Sequence, residues 1–171
     1  MGLSMGGVTA AWAAQHRKDL DLSIIISPAF GFRKIPERLT RSAMLLFGLL
    51  PDAFVWWDPE AKENGAPSYA YPKYSRHALT QLLRLGFAVK DDAAKKPPAA
   101  KKIVMVLNPS DDMVNNDMSE KIVALWKTHG ANVSTFSFDA GLMLPHDLVA
   151  LDQKGQRTDV VYPKLVELAG K

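Results

Sequence analysis

The chain has 171 residues, 47% of them apolar and 23% charged, with a formal net charge of +3 and no cysteine. That length and composition suit one globular domain with its own core, and the missing thiol excludes a disulfide framework and a cysteine-ligated metal. The mild charge forms no basic stripe, and no apolar run approaches the roughly 20 residues that span a bilayer, so nucleic-acid binding and a membrane span are not expected.

Gly2-Leu3-Ser4-Met5-Gly6 fits G-x-S-x-G, and Gly7 extends it. Such a motif is a nucleophile elbow, a serine held on a sharp strand-to-helix turn. Only Met1 precedes Gly2, so the strand that should present the serine is expected to be missing. Met5, Val8, Ala11 and Trp12 recur at helical spacing and predict a helix over Met5 to about Arg17. Leu20 to Ser27 is short, apolar and β-branched, then stopped by Pro28, as a buried parallel strand would be. Residues 30 to 100 differ in texture, being aromatic, broken by proline and helical in pieces over about Pro36–Leu50 and Ser75–Lys90. This stretch reads as a cap inserted over a site. Its Trp56, Trp57, Tyr69 and Tyr71 are candidates for a substrate pocket, with simple packing as the rival reading. Lys95-Lys96 and Lys101-Lys102 flank Pro97-Pro98, which reads as a solvated linker rather than a phosphate site.

Lys102 to Leu107 predicts a second buried strand, ending in Asn108-Pro109-Ser110-Asp111-Asp112. A helix over about Asp117–His129 follows, with Met118, Ile122, Leu125 and Trp126 on one face and Gly130 as its stop. Val133–Phe138 is a third strand, the loop Asp139–Asp152 carries His146, and a last helix is expected to begin near Pro163. Strands alternating with helices predict an α/β fold with a short parallel sheet flanked by helices.

Ser4, Asp111 and His146 thus fall at element ends in the order Ser, Asp, His. A serine hydroxyl is a poor nucleophile until an imidazole takes its proton. The imidazole in turn needs a carboxylate to fix its tautomer. Adjacent Asp112 is the rival acid, and Asp147 reads as a local or surface residue. His16, His77 and His129 lie in helical segments and read as surface or satisfied histidines.

Gly-Leu-Ser-Met-Gly-Gly, then Asn108-Pro-Ser-Asp-Asp-Met-Val114, then Leu144-Pro-His-Asp147 resembles the C-terminal part of a serine α/β-hydrolase of the esterase or monoacylglycerol-lipase-like branch. The resemblance implies Asp111 as the acid, because Val114 follows three residues later. It implies Met5 as an oxyanion donor through its backbone N–H. It also implies that the first half of the fold is absent, including the loop that gives a second oxyanion donor. Residues 1–30 and 101–171 are expected to form the core, and 31–100 the helical cap and linker.

The expected function is hydrolysis of carboxylic esters of short to medium acyl chain, without cofactor or metal, in a cytoplasmic protein. The alternative is a non-catalytic, truncated module that binds a partner or itself. Leu20–Ser27, left as a bare sheet edge, is the expected surface for a homo-oligomer.

Overall fold

A computed structural model describes residues 1–33, 35–56 and 71–170. In chain order its elements are β1 (Gly2–Leu3), α1 (Met5–His16), β2 (Ser23–Ile26), α2 (Glu37–Leu49), β3 (Phe54–Trp56), β4 (Lys73–Ser75), α3 (Arg76–Ala93), β5 (Ile103–Leu107), α4 (Asn116–Thr128), β6 (Val133–Ser137), a 3-10 turn (Ala140–Leu142) and α5 (Thr158–Ala169). Four strands form one sheet in the order β1-β2-β5-β6, all in parallel.

The apolar runs sit at its centre. Every residue of β2 and β5 is buried, as a parallel strand covered on both faces must be. Side chains alternate between the faces. Ile25, Met105 and Leu107 join Val8, Phe87 and Trp126 in the core under α1, α3 and α4. Ile24, Ile26, Val104 and Val106 join Leu148, Val161 and Leu165 in the core under α5. Trp126 is fully buried, and its indole N–H donates to Gln15 Oε1 at 2.6 Å, so the largest core side chain leaves no buried donor unpaired. No helix among the described residues is long and apolar enough to cross a membrane.

Two expectations are corrected. The strand before the elbow is present: Gly2 and Leu3 are extended and pair with Ile25 and Ile26. Leu20–Ser27 is therefore not a bare edge, because β2 has β1 on one side and β5 on the other. A second difference concerns Pro163, which does not open the last helix but lies inside it. The helix starts at Thr158, whose N–H and hydroxyl both donate to Gln156 Oε1. Burial of Val161 and Leu165 one turn apart outweighs the one backbone bond that Pro163 removes.

The antiparallel pair β3–β4 was not predicted. It is tied to the start of α3 by Asp52, whose carboxylate accepts from Ser75 Oγ at 2.7 Å and from the His77 N–H at 3.1 Å. The helix α3 packs its buried Leu83, Phe87 and Val89 into the same core as α1, so it serves as a layer of the sheet as well as a continuation of the 31–100 segment.

Candidate active site

The site is built where β1, β2 and β5 end. Ser4 joins β1 to α1 as a single turning residue with φ 54° and ψ −115°, a conformation that an L side chain rarely adopts. Its N–H donates to Ile26 O at 3.0 Å, and its carbonyl accepts from Ala29 N at 3.0 Å and Val8 N at 3.2 Å. These bonds over-determine the strained residue, as expected where strain serves a site.

Two glycines allow the turn. A methyl on Gly2 would come within 2.1 Å of Gly6 O, and one on Gly7 within 3.0 Å of Ile26 O and Pro28. Both permit α1 to fold back tightly on the strands. A methyl on Gly6 would meet nothing within 4 Å among the described residues, so the second glycine of the motif is not held there by packing.

Asp111 lies in the loop after β5 and is 2% exposed. Its Oδ1 accepts from Met113 N at 3.0 Å and Val114 N at 3.2 Å, which leaves Oδ2 free to face His146 Nδ1 at 2.7 Å. His146 Nε2 lies 2.7 Å from Ser4 Oγ. An ionised carboxylate can only accept. Nδ1 therefore carries the imidazole proton, and Nε2 is left to accept from the serine hydroxyl.

The electrostatics follow from burial and charge. Burial alone lifts the Asp111 pKa, but the hydrogen bond and charge of His146, with the two backbone N–H groups, hold it below the usual carboxylate value. Burial alone lowers the His146 pKa. The hydrogen bond and charge of Asp111, then the charges of Asp147 and Asp112, outweigh it and raise the imidazole above 6.5.

The structure thus brings Ser4, Asp111 and His146 together and leaves their rivals apart. Asp112 is exposed, and it is Asp111 Oδ1 that accepts from the following turn at Met113 and Val114. The Asp147 carbonyl closes a local turn by accepting from Ala150 N. Met5 is the first residue of α1, so its N–H is among the helix-start donors without an intrahelical partner. The partial positive charge of the helix N-terminus lies beside it.

A cavity of about 30 Å³ adjoins Ser4 and His146, walled by Met5, Phe32, Leu79, Leu83 and Met113 among others. The sequence reading missed most of this wall. Leu79 and Leu83 carry the signal, an apolar pair at i, i+4 on α3, but periodicity does not say what the face meets. Of the aromatic candidates, Trp56 sits in β3 under Lys73, whose Nζ is 4.8 Å from the ring centroid. Tyr71 is 88% exposed. Neither lines this cavity. Trp57 and Tyr69 lie outside the described residues. A larger groove of about 400 Å³ between β6 and α5 contains none of Ser4, Asp111 or His146. Among the described residues no group of three or more His, Asp or Glu side chains is placed to hold a metal ion.

No protein-family model matches the chain, and no curated protein matches it by sequence. Solved structures do. A soluble variant of monoglyceride lipase from Saccharomyces cerevisiae, in complex with a substrate analogue, is similar with a TM-score of 0.63 at 12% identity, over 98% of this chain and 61% of that one. The monoacylglycerol lipase of Paleococcus ferrophilus gives 0.65 at 16% identity, over 98% and 65%. A structure from the metagenome-derived lipolytic enzymes LipS and LipT gives 0.64 at 18% identity, over 99% and 64%. The chain therefore spans a little under two thirds of the length of each. At these identities the likeness is one of fold.

Proposed function

On this α/β-hydrolase fold we propose a serine hydrolase that cleaves carboxylic esters of short to medium acyl chain through an acyl-enzyme. The observation that carries the reading is His146 bridging Ser4 and Asp111 with 2.7 Å contacts on both ring nitrogens. In this scheme Ser4 Oγ attacks the ester carbonyl while His146 Nε2 takes its proton. The carbonyl oxygen becomes an oxyanion that the Met5 N–H stabilises. Collapse expels the alcohol, which receives the proton from His146, and water then repeats the sequence on the acyl-serine. Asp111 stays ionised throughout and stabilises the imidazolium.

Two further features support an apolar ester. The wall beside Ser4 includes Phe32, Leu79, Leu83 and Met113, with no Asp, Glu, Lys or Arg among its described residues to hold an acidic or basic acyl group. Residues 31–100 supply three of these four, which fits their proposed role as a cap over the core formed by 1–30 and 101–171. The narrow cavity favours the shorter end of the acyl range.

The test is active-site labelling. A fluorophosphonate is expected to form one adduct per chain, mapped by mass spectrometry to Ser4, and the labelled protein is expected to lose p-nitrophenyl butyrate hydrolysis in proportion. Labelling at another residue, or a folded chain that takes no label, would sink the assignment.

A further inference from the structure

Asn108 is the last residue before the Asp111 loop turns, and it is fully buried. Nothing in the proposed chemistry uses it. Yet its amide reaches both loops that carry the site. Nδ2 donates to Leu144 O at 2.9 Å and to Pro145 O at 3.1 Å, the two carbonyls immediately before His146. Its Oδ1 accepts from Ser110 N at 3.1 Å, inside the loop that ends at Asp111. Its own carbonyl accepts from Asp111 N at 3.1 Å and from Asn116 Nδ2 at 2.8 Å.

One side chain thus spends both donors on the histidine loop and its acceptor on the acid loop. Pro145 has no N–H, so the Leu144-Pro145-His146 turn cannot close on itself through that residue. Its position must be set from outside. Leu144 is anchored as well by apolar burial at 2% exposure, but burial is non-directional and does not fix where the next ring points. Two hydrogen bonds from a planar amide do.

We propose that Asn108 is a positioning residue that sets the His146 imidazole against both Asp111 and Ser4 by clamping the two loops to each other. The inference rests on the hydrolase reading of Ser4, Asp111 and His146. It adds a residue that touches no reacting atom and acts through the geometry of the general base. The chemistry demands an amide here. A hydroxyl is too short to reach both carbonyls, and a carboxylate would aim negative charge at two oxygens.

The experiment compares Asn108→Ala and Asn108→Asp with Ile103→Val, a buried substitution at the first residue of β5, the strand that Asn108 follows. For Asn108→Ala, kcat on p-nitrophenyl butyrate is expected to fall on the order of 10²-fold, the penalty of a misplacement of about 1 Å, with KM unchanged. The midpoint of the rise of kcat/KM with pH is expected to move downward, because an imidazole released from Asp111 keeps its burial but loses the partner that raises its pKa. Asn108→Asp is the sharper variant. It preserves the acceptor for Ser110, removes both donors to the histidine loop and turns a negative oxygen on the Leu144 and Pro145 carbonyls, and it is expected to lose at least as much. Ile103→Val is expected to lower the melting temperature while leaving kcat and the midpoint in place.

A readout independent of turnover separates the clamp from the hydrolase reading. The far-downfield NMR resonance of the His146 Nδ1 proton is expected in the wild type and to broaden or vanish in both Asn108 variants. If the wild type hydrolyses no ester, the functional reading falls and this resonance still decides the clamp. Wild-type kcat, midpoint and resonance in Asn108→Asp would overturn it.

Discussion

Ser4→Ala is expected to lower kcat for p-nitrophenyl butyrate on the order of 10⁶-fold, the loss seen when the nucleophile of a serine triad is removed. The physical argument is that no other group can replace it. Among the described residues the Ser4 side chain bonds only to His146 Nε2, and the turn that holds it is fixed by backbone bonds to Ile26, Ala29 and Val8. Alanine keeps the same Cβ, so the strain at φ 54° is unchanged and the elbow should persist. The variant is thus a clean deletion of chemistry. It is checked by purified steady-state rates beside a circular dichroism melt, with an unchanged melt expected. Residual activity within tenfold of the wild type would remove Ser4 as nucleophile.

Asp111→Asn is expected to lower kcat by about 10⁴-fold, in line with the same change in other serine triads. The local geometry says why the loss should be so large. Asp111 Oδ1 accepts two backbone N–H groups, from Met113 and Val114, so an asparagine will place its carbonyl oxygen there. Its NH₂ is then forced to face His146 Nδ1. That ring nitrogen must become the acceptor, the proton moves to Nε2, and the imidazole can no longer accept from Ser4.

The pH profile gives a second readout of the same substitution. Activity needs neutral His146, so the wild-type rate is expected to rise with pH through a midpoint above 6.5, the direction in which the Asp111 bond and the charges of Asp111, Asp147 and Asp112 carry the imidazole against its burial. In Asp111→Asn burial remains while the largest opposing contribution is gone, so any residual activity should titrate at lower pH. A wild-type midpoint below that value, or one that does not move in the variant, would contradict this account. The pair also links pH to stability. Asp111, with a depressed pKa, contributes stability at neutral pH that is lost as pH falls through that pKa. His146, with a raised pKa, contributes stability below about 6.5 that is lost as pH rises through its folded value.

The three longer strands of the sheet and the positions of Ser4, Asp111 and His146 at element ends were legible in the sequence for one reason. Strands buried on both faces leave unbroken apolar runs, such as Ser23–Ile26 and Ile103–Leu107, and the loops at their ends can be placed by counting. What was not legible depends on neighbours distant in sequence. Gly2–Leu3 has too few residues to show a period and is a strand only because Ile25 and Ile26 lie beside it. Phe54–Trp56 meets Lys73–Ser75 across an interval too long for Asn64-Gly65 to be read as its two-residue hairpin turn. Residue type misled in the pocket. Trp56 and Tyr71 drew attention by size, whereas the wall comes from Leu79 and Leu83, ordinary members of an amphipathic helix. Asp111 and Asp112 are equivalent as letters. The turn through Met113 and Val114 turns one carboxylate inward and leaves the other exposed.

The pairing of β1 with β2 alone among the described strands bears on how this chain should fail on heating. β5 is paired over four residues on one side and five on the other, whereas β1 is paired over two, and it alone leads into Ser4. Local opening is easiest where few backbone bonds and little burial resist it. On the proposed reading Ser4 therefore hangs on the least-paired strand of the described sheet, and the rest can outlast it. Reversible loss of ester hydrolysis is expected several degrees below the melt of the helices followed by circular dichroism. Coincident transitions would mean that the elbow melts only with the whole domain. On the former outcome the turn at Ser4, rather than the core, sets the temperature at which ester hydrolysis is lost.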